Sequence, residues 1–200
     1  MSAPKTLLQL AGADLAPGRL SESVVVIIDA QNEYVSCKLP LVGIGPALDR
    51  VAELLAAARS AGTPIVHVAH KGKAGGAFDP ASDGFAIAPQ AAPIGDEPVV
   101  EKGLPNSFAG TDLQQHLAAT GRTSLILAGF MTHMCVSSTA RAALDLGYRT
   151  TVVSDATATR DLPDAIGGEA VPADTIHRVA LTELADRFAV VARTAEIVRA

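Results

Sequence analysis

Residues 124–147 read SLILAGFMTHMCVSSTARAALDLG, a short apolar run followed at once by a longer helical pattern. The run SLILA at 124–128 has the continuous apolar character of a strand that is buried on both faces of a sheet. The helical pattern covers residues 134–146 and stops at Gly147, a residue that commonly ends helices. A buried strand that leads directly into a helix is the repeating unit of a parallel α/β sheet.

Five further runs along the chain resemble residues 124–128. We predict strands at 24–28, 64–69, 98–101, 124–128, 150–154 and 188–192, and helices at 46–61, 111–120, 134–146 and 172–187. Because the strands alternate with helices or loops, the chain is predicted to fold as a three-layer α/β/α domain. Its sheet is expected to be Rossmann-like, six-stranded and mostly parallel.

The composition narrows the class of protein. A chain of 200 residues suits one domain, so we predict a single domain over 1–200, with about 1–20 as an N-terminal extension. The net charge of −5, without a cluster of Lys or Arg, argues against a nucleic-acid partner. The apolar run 24–28 falls far short of the roughly 20 residues that cross a membrane. Residues 7–14 are too polar for a secretory signal, so a cytoplasmic location is expected.

Two segments interrupt the alternation of strands and helices. Residues 71–97 are rich in Gly, Pro, Ala and Asp, and residues 155–170 in Gly, Asp and Thr. Long loops without regular structure are usually functional or disordered. We expect residues 71–97 to form a lid or a subunit contact, and the chain to form a homo-oligomer, a dimer or higher.

Three chemically active side chains follow three of the predicted strands. Asp29 follows the first strand, Lys102 the third and Cys135 the fourth. Ligands of open parallel sheets bind beyond the carboxyl ends of the strands, where these residues meet. Each has an ordinary alternative role, since Asp caps turns, Lys is often solvated and free Cys packs in cores. Together at one edge, they favour a catalytic site.

The predicted position of Cys135 suits a nucleophile. It lies in the first turn of the predicted helix, where free N–H groups and the helix dipole stabilise a thiolate. Asp29 offers a base, Lys102 offers a charge that holds Asp29 ionised, and backbone N–H groups of the turn offer an oxyanion hole. Cys37 lacks this context and is interpreted as a structural thiol.

The chain resembles the isochorismatase-like cysteine hydrolases. The resemblance covers about residues 24–192, and GFMTHMCVSSTARAALDLGY at 129–148 is its most specific part, with Asp29 and Lys102 in support. It implies the isochorismatase-like hydrolase fold and an Asp–Lys–Cys triad. It also implies hydrolysis of an amide or ureido C–N bond in a small molecule, without a cofactor.

The resemblance also implies a role for each matching residue. Cys135 corresponds to the nucleophile, which forms a thioester intermediate, Asp29 to the general base and then acid, and Lys102 to the third member. A cis peptide bond is implied at Phe130–Met131. The N–H groups of Met131 and Cys135 would then form the oxyanion hole.

Other branches of the same family leave alternatives open. Nicotinamidases carry an Asp-x-His metal motif after the second strand, whereas this chain reads His67-Val68-Ala69-His70. Residues three apart on a strand point to opposite faces, so we expect no metal site and interpret His67 as a core residue. The alternatives are a metal-assisted nicotinamidase-like enzyme, a vinyl ether hydrolase of isochorismatase type, or a non-catalytic module that binds small molecules.

Substrate contacts are predicted from their position close to the triad. The candidates are Gln31, Tyr34, His70, Phe108, Phe130 and His133. Arg160, after the fifth strand, is a candidate for binding a substrate carboxylate or for a surface salt bridge.

Overall fold

The computed structural model describes residues 3–199 and contains one six-stranded parallel sheet. The strands are β1 (Ser23–Ile28), β2 (Ile65–His70), β3 (Val99–Lys102), β4 (Ser124–Phe130), β5 (Arg149–Ala158) and β6 (Val190–Ala192), in the order β3-β2-β1-β4-β5-β6. All five neighbouring pairs are parallel. The six predicted strands and the α/β fold class are therefore confirmed.

The helices cover both faces of this sheet. They are α1 (Leu7–Leu10), α2 (Glu33–Ser36), α3 (Ile44–Ser60), α4 (Leu113–Ala119), α5 (Ser137–Asp145), α6 (Ala173–Arg187) and α7 (Thr194–Val198). The four long predicted helices correspond to α3, α4, α5 and α6. The helices α1, α2 and α7 were not predicted, because four or five residues are too few to show a helical period.

The core has two parts, one on each face of the sheet. Val25 and Ile27 of β1 pack towards α3, and Val24 and Val26 pack towards α4 and α5. Every residue of β1 is buried. Alternate side chains of a central strand point to opposite faces, so this burial requires a helix layer on each side and produces the predicted three layers.

The strand order reverses between β1 and β4, so a crevice opens at their carboxyl ends. Gly129 brings the two strands together at this point. Its φ is +110°, and a Cβ atom there would lie 2.0 Å from the backbone oxygen of Ile28. Only glycine fits both the backbone conformation and the space.

The segment 71–97 is ordered against the end of β1. It contains two short 3₁₀ turns, Asp83–Phe85 and Pro89–Ala91, and an antiparallel bridge joins Ile87 to Gln31. The N–H of Ala88 donates to the oxygen of Ala30 at 2.8 Å. This segment therefore forms a wall beside the crevice. No helix within residues 3–199 has the length and hydropathy that a membrane crossing requires.

Candidate active site

Asp29 is the first residue after β1 and is completely buried. Its φ of +50° lies in the left-handed region, which Asp and Asn tolerate better than most residues. Its N–H donates to the oxygen of Val68 at 2.8 Å, so the turn is tied to β2. This conformation turns the chain out of the sheet at the crevice.

Lys102 is the last residue of β3, and its buried ammonium joins the candidate residues. Its Nζ lies 2.7 Å from Oδ2 of Asp29 and donates to Sγ of Cys135 at 3.3 Å. A third contact, of 3.2 Å, joins Nζ to Nδ1 of His70. Asp29, Cys135 and His70 thus each place one atom within 3.3 Å of this ammonium. The structure thus brings together the three residues predicted from separate strands.

Cys135 lies in a turn of π-helix at Thr132–Val136, just before α5, rather than in the first turn of an α-helix. It is 4% exposed. Burial raises the pKa of its thiol to about 12, and the charge of Asp29 adds to this effect while Lys102 opposes it. The expectation of a resting thiolate was therefore wrong, because desolvation outweighs the nearby ammonium. The raised pKa favours the protonated thiol as the resting form.

Burial also raises the pKa of Asp29, and the Lys102 ammonium acts in the opposite direction. Oδ1 of Asp29 is buried without a hydrogen-bond partner among the described residues. The ion pair with Lys102 favours the carboxylate form, and the raised pKa makes that carboxylate a stronger base than a solvated one. A basic carboxylate beside a protonated thiol can take the thiol proton.

The turn between β4 and Cys135 contains a cis peptide bond at Phe130–Met131. No backbone or side-chain acceptor in residues 3–199 receives the N–H of Met131. Thr132, the next residue, is buried, and its Oγ1 contacts the oxygen of Ala158 at 3.0 Å and Nδ1 of His177 at 2.9 Å. The turn is thus fixed to β5 and α6 beside the thiol.

His70 contributes more to this site than the sequence indicated. Because an ammonium can only donate, Nδ1 of His70 must accept from Lys102, and the neutral ring then carries its proton on Nε2. Burial and the charge of Lys102 lower the pKa of His70 to about 4. The ring is therefore neutral at pH 7.

A stability measurement can test this assignment for His70. Between pH 4 and 6.5 the unfolded chain carries a proton on this histidine and the folded chain does not, so its contribution to the unfolding free energy falls as pH falls. The slope is at most about 1.4 kcal/mol per pH unit for one such group. We expect His70→Asn to lose less stability than the wild type between pH 7 and pH 5 in urea unfolding. Equal losses in the two proteins would contradict the assignment.

The side-chain amide of Gln31 forms hydrogen bonds with backbone groups. Its Oε1 accepts from the N–H of His70 at 2.8 Å, and its Nε2 donates to the oxygens of His70 at 3.0 Å and Phe85 at 2.8 Å. The prediction that Gln31 contacts substrate is corrected: with its amide engaged, the residue joins the end of β2 to the segment 71–97.

The aromatic residues that were predicted to contact the substrate lie in two different parts of the structure. Tyr34 and Phe130 are buried together, with ring centroids 6.1 Å apart, and belong to the core beside the site. Phe108 instead stacks on Tyr148, which precedes β5 at the opposite end of the strands. This placement does not support Phe108 as a pocket residue, because its ring packs against Tyr148 and the core cluster that includes residues of α4 and α5.

His133 and His67 have different surroundings in the structure. His133 is half-buried, and its Nδ1 lies 2.5 Å from Oγ1 of Thr159. His67 is buried and bonds through Nε2 to Oε2 of Glu97 at 3.0 Å, away from His70. Glu97 is also bound by the guanidinium of Arg59. His67 is therefore a buried core residue that hydrogen-bonds to the Arg59–Glu97 ion pair and is not part of the site.

Sequence reasoning missed one acidic residue near the site. Glu33 is 1% exposed, and its oxygens accept the N–H groups of Lys38 at 2.9 Å and Phe78 at 3.2 Å. Nothing in the local pattern distinguishes Glu33 from a solvated helix residue. Its role depends on loops that are distant in the sequence.

Comparison with known proteins places the chain in a family. The model of the isochorismatase domain matches residues 23–196. The secreted isochorismatase effector Isc1 of Verticillium dahliae is 38% identical over 177 residues, which cover 88% of this chain and 90% of that protein. Streptothricin hydrolase of Streptomyces noursei is 36% identical over 174 residues, covering 86% of this chain but only 63% of that protein.

A solved structure agrees with these relatives. The crystal structure of an isochorismatase from Pseudomonas putida KT2440 has 45% identity and a TM-score of 0.93, and the match covers 98% of this chain and 100% of that one. The arrangement of Asp29, Lys102 and Cys135 is thus found in a chain whose sequence and fold both match one family over most of its length. This chain belongs to the isochorismatase family of hydrolases.

Proposed function

We propose that this protein hydrolyses a C–N bond in a small amide, ureide or carbamoyl compound. The observation that carries the proposal is the buried contact of Lys102 Nζ with both Asp29, at 2.7 Å, and Cys135, at 3.3 Å. A thiol, a base and a fixed positive charge are the groups that covalent acyl transfer requires. No cofactor is needed for this chemistry.

In the proposed first half-reaction, the Asp29 carboxylate takes the Cys135 proton as sulfur attacks the substrate carbonyl carbon. The N–H groups of Met131 and Cys135 donate hydrogen bonds to the resulting oxyanion. Asp29 then gives its proton to the departing nitrogen, the C–N bond breaks, and a thioester remains on Cys135.

In the second half-reaction, Asp29 takes a proton from water, and the water oxygen attacks the thioester carbon. The C–S bond breaks, the carboxylic or carbamic acid product leaves, and the sulfur recovers a proton from Asp29. Lys102 keeps its contacts with both Asp29 and Cys135, the two groups that carry negative charge during the reaction. The site returns to its starting state.

A metal-assisted reaction, as in nicotinamidases, fits these residues poorly. Asp29, His70 and Cys135 have ligand atoms within 4.8 Å of one another, a set that zinc can bind. Nζ of Lys102, however, contacts an atom of all three residues at 2.7–3.3 Å. A metal ion would have to displace this ammonium. We therefore propose that Lys102 serves as the cation of the site.

Chelation tests this point. After dialysis against EDTA and 1,10-phenanthroline, the rate of ammonia release should stay within about twofold of the untreated rate, since no metal ion is expected to take part. A loss of activity that zinc, iron or manganese restores would instead support the metal-assisted alternative.

The remaining alternatives have less support. A vinyl ether hydrolase of isochorismatase type does not require the thiol that Lys102 contacts here, and a non-catalytic module does not require a buried ion pair beside a thiol. The name of the Streptomyces relative, streptothricin hydrolase, also agrees with a hydrolytic role.

We also propose a single domain over residues 1–200, a homo-oligomeric assembly and a cytoplasmic location. The domain proposal is supported by α1, which lies in the N-terminal extension and is tied to α6 through the bond from the Leu7 N–H to Asp186 Oδ1 at 2.9 Å. The segment 71–97, ordered as a wall of the crevice, supplies a surface for a second copy. One similar protein, the effector Isc1 of Verticillium dahliae, is secreted.

A further inference from the structure

Arg160 lies at the same edge of the sheet as the candidate active site. It follows the end of β5, where Thr157 and Ala158 pair with Gly129 and Phe130 of β4. The chain of β4 then continues into the turn that carries Cys135. Thr159, the neighbour of Arg160, contacts His133 of this turn. Arg160 is therefore placed on the β5 side of the crevice.

Arg160 lacks the partners that other half-buried arginines have. Arg59 binds Glu97 through two nitrogens, Arg122 donates to two backbone oxygens, and Arg141 contacts Glu183. Among the described residues, Nε of Arg160 is buried without a hydrogen-bond partner, and the one hydrogen bond of this side chain is long, 3.4 Å from Nη1 to the oxygen of Asp161. Within residues 3–199, no carboxylate lies within 4 Å of its guanidinium.

The nearby acidic side chains already have partners within the protein. Asp29 is paired with Lys102, and the oxygens of Glu33 accept the N–H groups of Lys38 and Phe78. The positive charge of Arg160 is therefore not balanced by a direct partner. A guanidinium binds a carboxylate through two parallel hydrogen bonds, so a ligand with a single negative charge would supply the missing acceptors and the missing charge.

The charge of Arg160 also affects the pKa of two side chains beside the candidate active site. Burial raises the pKa of Tyr34, and the charge of Arg160 opposes this rise. Burial lowers the pKa of His133, and Arg160 adds to this effect. Both side chains lie next to the turn of Cys135, so Arg160 acts on the space in which a substrate would bind.

We propose that Arg160 binds a carboxylate of the substrate, so the enzyme prefers amides or carbamoyl compounds that carry a carboxylate close to the scissile C–N bond. This inference rests on the proposed hydrolysis of a C–N bond. The triad supplies the reaction, and Arg160 supplies selectivity for the anion. A charge-assisted pair of this kind is typically worth about 10–100-fold in binding.

Matched pairs of compounds test the proposal. Succinamate, N-carbamoylglycine and N-carbamoyl-β-alanine are each compared with their methyl esters, and ammonia release gives kcat and KM. We expect the acids to have the higher kcat/KM. Arg160→Met should lower the ratio of acid to ester by about 10–100-fold, mainly through KM of the acid. Arg160→Lys should recover part of the ratio, because it keeps the charge without the fork of N–H groups.

Arg141→Met is the matched control, since Arg141 is also half-buried but lies on α5 against Phe188 and Glu183. It should leave the ratio of acid to ester unchanged. Esters that react as fast as acids, or an Arg160→Met effect equal for both, would overturn the role of Arg160 while leaving C–N hydrolysis intact. Ammonia release no faster from wild type than from Cys135→Ala on every compound would overturn the proposed function, and this inference with it.

Discussion

Replacement of Cys135 by alanine should lower kcat by at least about 10⁴-fold, because no other described group near Asp29 and Lys102 can form the covalent intermediate. The thiol is 4% exposed and sits in the core, so alanine removes little volume and the fold should persist. Ammonia release under saturating substrate measures the loss. Circular dichroism confirms that the variant is folded.

Cys37→Ser provides the matched control, since Cys37 is the second free thiol and is only half-buried. We expect its kcat to stay within about twofold of the wild type, as is usual for a surface substitution without special contacts. Rapid acid quenching followed by mass spectrometry should find the acyl group on Cys135 and not on Cys37. Turnover by Cys135→Ala at the wild-type rate would rule out the covalent mechanism.

Asp29→Asn should reduce kcat by about 10²–10⁴-fold, the usual contribution of general acid–base catalysis. Asparagine has the same shape and also tolerates the left-handed backbone found at residue 29, so substrate affinity should change little. Groups that act as a unit do not contribute additively. The double variant Asp29→Asn/Cys135→Ala should therefore be about as inactive as Cys135→Ala alone.

Lys102→Met tests the third member of the site. It leaves the Asp29 charge buried without its partner, which typically destabilises a protein by about 3–5 kcal/mol. The neutral double variant Asp29→Asn/Lys102→Met avoids this cost, so it should fold more stably than Lys102→Met and remain inactive. Near wild-type kcat in Asp29→Asn would make Asp29 a structural turn residue and would refute the mechanism.

The sequence was sufficient to predict the sheet and the meeting of Asp29, Lys102 and Cys135. Buried parallel strands have a continuous apolar signal, and the carboxyl ends of such strands lie at one edge whatever the loops do. The residue that follows each strand is therefore placed by topology alone. This explains why three positions separated by up to 106 residues in the chain could be assigned to one site.

Side-chain direction and solvation could not be predicted in the same way. Phe108 was expected in the pocket because it is close in sequence to Lys102, but its ring turns towards Tyr148. The thiol of Cys135 was expected to ionise at a helix start, but the raised pKa follows from burial that no local pattern reveals. Contacts such as that of His70 with Lys102 depend on the register of β2 and β3.

The close approach of β1 and β4 at Gly129 divides the protein into a part that tolerates change and a part that does not. Even a methyl group at residue 129 would lie 2.0 Å from the backbone oxygen of Ile28. Substitution of Gly129 therefore cannot adjust the junction that holds Asp29 near Cys135. The segment 71–97 and the residues after β5 are free of this constraint. Directed evolution towards new substrates should therefore accumulate its mutations in the segment 71–97 and in the residues after β5. The junction at Gly129 should remain unchanged in every active variant.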